Sequence, residues 1–168
     1  MMNICNIKIM LLFSDPLIKK EKSNRKIIFK ERSWTITIYC HTPTMINVTG
    51  LKQKGDIEKV KNAMEKRYMK KCLKYQINSI MLSHKDCKRI DMNEVIRNVK
   101  LLSNMFYIDF VPELFTGMYL KPLDRSFPTV NIFYTGSFQL LGAKSFEKID
   151  TTVQLVQKII KKSEYGVF

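Results

Sequence analysis

Trp34-Thr35-Ile36-Thr37-Ile38-Tyr39 and Pro128-Thr129-Val130-Asn131-Ile132-Phe133 alternate strictly between residues that avoid water and residues that tolerate it. Side chains along a strand point to opposite faces in turn, so this pattern predicts a strand buried on one face only. Ile36, Ile38, Val130 and Ile132 are expected in the core. Thr35, Thr37 and Tyr39 then share the opposite face, as do their counterparts Thr129, Asn131 and Phe133.

The two stretches begin a longer correspondence. Each is followed by a turn, Cys40 to Thr44 with Pro43 and Tyr134 to Ser137 with Gly136, and by a second alternating strand. The second strands, Met45–Thr49 and Phe138–Leu141, end in Thr49-Gly50-Leu51-Lys52 and Leu141-Gly142-Ala143-Lys144. The second hairpin is two residues shorter, a difference that preserves strand parity and keeps the same face inward in both copies. Asn47 and Thr49 therefore match Gln139 and Leu141 on the face away from the core.

Helical spacing takes over next. Ile57, Val60, Met64 and Tyr68 fall on one stripe, and Ile149, Val153, Val156 and Ile160 on another. Asp56 and Ser145 stand where a first turn wants an acid or a cap, and Lys70, Lys71, Lys161 and Lys162 suit the negative helix ends. At the start of each copy, Asn6-Ile7-Lys8-Ile9-Met10-Leu11 resembles Asn78-Ser79-Ile80-Met81-Leu82-Ser83. Between opening strand and hairpin the copies diverge. The second has room for a helix at Asp91–Leu102 and then Phe106–Tyr119, whereas the first has only the basic stretch Lys19–Arg32, with no amphipathic helix. The expectation is one α+β domain made of an abbreviated repeat, residues 1–72, and a complete one, residues 73–168.

The chain has 168 residues, of which 45% are apolar, including 10 Phe, 7 Tyr and 1 Trp, enough for one shared core. Disorder is excluded because that apolar content offsets the entropy of ordering. No apolar run approaches the roughly 18–20 residues that span a bilayer, and no membrane partner is expected. Lys and Arg number 29 against 15 Asp and Glu, a formal charge of +14. Such an excess suits a polyanion; codon bias toward Lys, Ile and Asn would also raise it.

Cys5, Cys40, Cys72 and Cys87 show no paired spacing, so reduced, mostly buried thiols are expected rather than a disulfide framework. Met1–Phe13 has neither a basic leader nor a small-residue cleavage site and reads as a strand. The sequon Asn47-Val48-Thr49 is then incidental. His84-Lys85-Asp86-Cys87 with Cys72 or His41 is a weak metal pattern, because zinc sites bring two close ligand pairs. No paired carboxylates stand in a motif and no glycine-rich phosphate loop occurs, so neither an enzyme nor a cofactor is expected.

The run Pro112-Glu113-Leu114-Phe115-Thr116-Gly117, followed by Val130-Asn131-Ile132-Phe133 and Gly142-Ala143-Lys144, resembles the second repeat of the TATA-box-binding protein family. Thr49-Gly50-Leu51-Lys52 is similar to the end of the first repeat's hairpin. The resemblance implies a saddle: a curved antiparallel sheet, helices on its convex back, and a concave face for the DNA minor groove. Thr35, Thr37, Tyr39, Asn47, Thr49, Thr129, Asn131, Phe133, Gln139 and Leu141 would lie on that face. None is charged, in a chain that is 26% charged, as suits a surface that displaces water from a groove.

By the same resemblance, Phe115 and Phe133 match the wedge pair that unstacks a base step; the competing reading makes both of them core. Asn6 and Asn78 match the central asparagines, with a one-residue shift for Asn78, and would donate to A·T acceptors; both also fit as solvated strand residues. Lys52 and Lys144 would hold phosphates, and Asn131 stands where the family usually has an aliphatic residue. In the first repeat Tyr39 replaces a phenylalanine, and Ile27, Ile28 and Phe29 all compete for the second wedge. The family docks transcription factor IIB around Glu113 and Leu114, although Val111 replaces an acid there. The basic helix with Lys66, Arg67, Lys70, Lys71 and Lys74 resembles the family's second helix or is simply a solvated face. The implied function is a nuclear or viral initiation factor on AT-rich double-stranded DNA, working with a transcription factor IIB-like protein, the RNA polymerase machinery and conceivably a companion subunit. The alternative is a scaffold or decoy that binds basal factors without specific DNA binding.

Overall fold

The alternating stretches form strands and the 3.6-period stripes form helices. The computed structural model describes residues 2–86 and 88–164. In chain order the described elements are β1 (Met2–Phe13), β2 (Lys26–Glu31), β3 (Trp34–Tyr39), β4 (Met45–Leu51), α1 (Asp56–Tyr68), β5 (Cys72–His84), α2 (Met92–Leu102), β6 (Phe106–Asp109), β7 (Gly117–Pro122), β8 (Thr129–Phe133), β9 (Phe138–Ala143) and α3 (Phe146–Lys162). They fall into two compact units, Asn6–Ser79 and Met1–Cys5 with Ile80–Phe168. No described helix is long and apolar enough to cross a membrane.

In the Asn6–Ser79 unit the hydrogen-bonded order is β2-β3-β4-β1, all antiparallel. Ile36, Ile38, Ile46, Val48, Ile7 and Ile9 are fully buried, and α1 contributes the buried Ile57, Val60 and Met64 to the same core. In the other unit the order is β5-β9-β8-β7-β6, again antiparallel. Val130, Ile132, Met118, Leu120 and Leu140 are fully buried there, beside Val95 and Val99 of α2 and Ile149, Val153, Val156 and Ile160 of α3. The expected stripe of α3 is buried throughout, and that of α1 is buried at Ile57, Val60 and Met64, with Tyr68 half-buried.

Caps fix the helix starts. Asp91 accepts hydrogen bonds from the N–H groups of Asn93 and Glu94, and Ser145 accepts one from Lys148. At α1 the cap position is Gly55, and Asp56 instead reaches back to the N–H groups of Lys52 and Gln53 at 3.0 and 3.2 Å.

One irregularity is shared. Ile7 pairs with Leu51 but Ile9 pairs with Val48, and Ile80 pairs with Ala143 but Met81 with Leu141. Each hairpin's last strand therefore carries a bulge at its glycine, Gly50 with φ +95° and Gly142 with φ +84°, a left-handed backbone that glycine adopts at little cost. The abbreviation of the first copy is also explicit. Lys19–Arg32 contains strand β2 and no helix, and neither α2 nor β6 has a counterpart in the Asn6–Ser79 unit.

Candidate nucleic-acid interface

Directly paired residues of a pleated sheet project to one face. In the Asn6–Ser79 unit Thr35 pairs with Thr49 and Thr37 with Asn47, and Tyr39 follows on the same side of β3. In the other unit Thr129 pairs with Leu141 and Asn131 with Gln139, and Phe133 follows on β8. Each expected set therefore shares a face opposite its unit's core.

The strands outside the two hairpins correct the picture of an uncharged surface. Lys26 pairs with Tyr39 and Lys30 with Thr35, and Lys8 alternates outward between buried Ile7 and Ile9. On the other unit Lys121 and Asp109 share the face of Tyr119 and Asn131 on β7 and β6, joined by an ion pair of 2.6 Å. The sequence missed these residues because β6 and the register of β2 carry too few alternating positions to read. The hairpin strands β3, β4, β8 and β9 are uncharged on this face; the strands that flank them are not.

Aromatic rings concentrate at one end of the second face. Phe133 pairs with Gly117, and Tyr119 pairs with Asn131. Phe115, in the turn before β7, stacks on Tyr119 with centroids 4.6 Å apart and meets Phe133 edge-on at 5.9 Å. Both phenylalanines are half-buried rather than core. Gly117 makes room for them: a Cβ there would lie 2.6 Å from Phe115 Cε1 and 2.9 Å from Phe133 Cε1. Gly117 and Tyr119 stand in the sequence motifs without a role assigned to them, although Gly117-Met118-Tyr119-Leu120 alternates around the buried Met118 and Leu120.

The polar candidates are spread more widely. Asn6 Oδ1 accepts a hydrogen bond from the Gly50 N–H at 2.8 Å, so the side chain is tied to the first bulge. Its structural counterpart is Ser79 rather than Asn78. Ile7 and Ile80 occupy equivalent places, paired with Leu51 and Ala143, which puts Asn78 one residue out of step and on the opposite parity. Lys52 and Lys144 are exposed, each two residues beyond its bulge glycine. Asn131 shares the face as expected but is buried, at 5% exposure.

The family model described as "Transcription factor TFIID (or TATA-binding protein, TBP)" matches residues 74–163. The chain belongs to the TATA-binding protein family. Among solved structures, Methanococcus jannaschii TBP aligns with a TM-score of 0.66 over 95% of this chain and 98% of its own, at 18% sequence identity. That likeness shows the fold, an α+β TBP-like arrangement of two pseudo-symmetric antiparallel repeats. No curated protein sequence matches the chain. The TATA-binding protein family is one of DNA-binding, non-enzymatic transcription factors.

Within this TATA-binding protein relative, Glu113 and Leu114 lie on a single turn closed by the Leu114 and Phe115 N–H groups donating to the Val111 carbonyl at 2.9 and 3.1 Å. Leu114 is 85% exposed. Of the expected basic helix only Lys66 and Arg67 lie on α1; Lys70 and Lys71 follow its end and Lys74 is on β5, and part of this basic set is engaged inside its own unit. Arg67 lies 4.1 Å over the Phe29 ring and 3.5 Å from Glu31, and Lys70 is 3.8 Å from Asp15, while Lys66 is exposed.

Register separates the three residues expected to compete for a second wedge in the first repeat. Phe29 pairs with the core residue Ile36 and Ile27 with the core residue Ile38, so of the three candidates only Ile28, opposite Thr37, shares the face of Tyr39. The place equivalent to Phe115 is elsewhere. Lys26 pairs with Tyr39 as Gly117 pairs with Phe133, and two residues earlier stands Asn24.

Free thiols are present at Cys5, Cys40 and Cys72; Met1 and Cys87 lie outside the described residues. Among the described residues no three His, Cys, Asp or Glu side chains gather as a metal site. His84 instead stacks on Phe138, with ring centroids 4.9 Å apart.

Proposed function

We propose that this chain is a basal transcription initiation factor that binds the minor groove of AT-rich promoter DNA, bends it and nucleates assembly of the preinitiation complex. The observation that carries the reading is the Phe115–Phe133 pair, two half-buried rings held over Gly117 on a sheet face whose centre is threonine, asparagine, glutamine and leucine. Such apolar wedges enter a base step and unstack it at about a few kcal/mol per step, offset by contact with the bent duplex, a mode for which this family is a reference case. Asn6, held by Gly50, would turn amide donors to the A N3 and T O2 acceptors. Asn47, Thr49, Gln139 and Leu141 would line the groove and Lys52 and Lys144 would clamp phosphates, while Asn78, on the opposite parity to Asn6, takes no part in that face.

On this reading, residues 1–72 form the abbreviated repeat and residues 73–168 the complete one. Kinking is then lopsided: Asn24 stands where Phe115 does in the other repeat, and the ring beside Tyr39 is His41 of the following turn, with centroids 5.5 Å apart. A transcription factor IIB-like protein would dock on Glu113 and Leu114, and the RNA polymerase machinery or a companion subunit would use Lys66, Arg67 and Lys70. The setting would be a nucleus or a viral transcription compartment. Asn24 and Val111 also favour a second reading, a scaffold or decoy that binds basal factors without specific DNA recognition.

The deciding experiment measures binding and end-to-end bending of AT-rich and GC-rich duplexes across a salt series. The initiation-factor reading expects a preference for the AT-rich duplex that survives salt, with a bend that Phe115→Ala and Phe133→Ala each reduce. Their stability loss should be well below the roughly 3–5 kcal/mol of a core Phe→Ala change, for which buried Phe138 is the control. Equal loss of affinity for both duplexes as salt rises would leave only an electrostatic binder and favour the decoy.

A further inference from the structure

Asn131 is the anomaly of the groove-facing sheet. It lies on the middle strand, between Tyr119 on β7 and Gln139 on β9, and two residues before Phe133 on the same face. It is nine-tenths buried, and its Oδ1 is buried with no hydrogen-bond partner among the described residues. Neighbouring Tyr119 and Gln139 both carry donors, yet neither reaches it. Burying an acceptor unpaired is costly, and such a group on a binding face gains whenever a ligand brings a donor.

The minor groove offers few donors. A·T and T·A pairs show only acceptors there, and the N2 amino group of guanine is the one donor on any base edge. With Oδ1 in the buried place only a donor completes the site; a carboxamide turned over would put Nδ2 there and favour an A·T acceptor, the outcome in which inosine·C equals or betters G·C. Guanine alone presents an amino donor next to the N3 acceptor, the complement of a carboxamide.

We propose that Asn131 is a specificity-determining residue whose Oδ1 accepts a hydrogen bond from the N2 amino group of a guanine, so that the preferred site carries one G·C pair within its AT-rich tract, beside the step that Phe115 and Phe133 enter. The inference rests on the minor-groove reading above. Tyr119, the neighbour of Asn131, carries the Phe115 ring stacked on it at 4.6 Å. When Phe115 enters a base step that stack opens beside Asn131, so wedge insertion and guanine recognition are one event. An aliphatic residue at this place would read nothing and would be crowded by the amino group.

The test uses the full chain and an AT-rich duplex in which one pair at a time is replaced by G·C or by inosine·C, which differ in the minor groove only by the N2 amino group. At one position or two adjacent ones, G·C should bind about fivefold or more tighter than inosine·C, the scale of a single-pair effect. Asn131→Leu should abolish or invert that ratio. Asn131→Val, which suits a strand and carries no acceptor, serves if the leucine variant does not fold. Inosine·C equal to or better than G·C at every position overturns the proposal, and the wild-type chain alone decides that. So does a G·C preference unchanged in the folded variants. Either result leaves AT-selective bending intact and the initiation-factor reading standing. Absence of AT-selective bending on every duplex sinks that reading and this inference together.

Discussion

The Phe115 ring lies edge-on to the Phe133 ring, 5.9 Å between centroids, with the bare backbone of Gly117 beneath both. A methyl group at residue 117 would therefore act on the wedges and on little else. The contacts it would make, 2.6 and 2.9 Å, are to ring edges that can swing. Gly117→Ala should cost only about 1 kcal/mol of stability, the low end of overpacking. It should nevertheless lower the DNA bend angle by displacing Phe115 or Phe133. Thermal melts paired with bending by energy transfer check this; an unchanged bend would mean the rings do not act from this seat.

The first repeat invites the converse change. Lys26 occupies the place of Gly117 and Asn24 that of Phe115, judged by the pairing of Lys26 with Tyr39. The double substitution Asn24→Phe and Lys26→Gly should supply the missing ring and its seat, so the bend angle should rise. Tyr39→Ala in that background should return the angle to or below its starting value. If the double variant bends DNA no more than the parent, abbreviation of this repeat involves more than one lost ring.

How these places became visible differs between the repeats. Ile36, Ile38, Val130 and Ile132 were legible from alternation alone, since a strand covered on one side leaves a period of two in its sequence. Phe133 and Thr49 inherited their side from that parity. Asn78 was misaligned because matching asparagine to asparagine overrode the stronger constraint, the buried Ile80 that occupies the place of Ile7. Tyr119, Lys26 and Asn24 were not legible. Their roles depend on which strand lies beside which, a long-range fact that short strands and turns leave unwritten. The buried state of Asn131 is of the same kind, set by its neighbours across the sheet.

Acid sensitivity should appear at the first bulge. Asp56 is buried, which opposes its ionisation, but the Lys52 and Gln53 N–H groups together with Lys59 outweigh burial and hold the carboxyl below its usual value. A carboxyl depressed in the folded state adds stability above its unfolded pKa, about 3.9, and that stability is lost as pH falls through the folded value. Asp56→Asn should cost about 1.5–3 kcal/mol at neutral pH, the range for hydrogen bonds to a charged group. The gap between variant and parent should narrow as pH falls below about 4. Chemical denaturation at a series of pH values measures it, and a gap independent of pH would show that the charge contributes nothing. Because Asp56 holds the backbone of Lys52, the variant should also weaken DNA binding.

Lys52 and Lys144 stand two residues beyond equivalent bulge glycines, Gly50 and Gly142, both exposed. Each bulge adds one residue to its strand, so the two lysines hold the same position relative to it in both hairpins. Phosphate contacts set register and carry no base information. Replacing both by glutamine should therefore weaken binding to AT-rich and GC-containing duplexes by a common factor and leave their ratio unchanged. It should also flatten the dependence of log affinity on log salt by about 1.8, from roughly 0.9 per phosphate on duplex DNA. Titrations at four or more salt concentrations yield both quantities. A ratio that shifts with the substitution would assign these lysines to base recognition, and an unchanged slope would remove them from the interface.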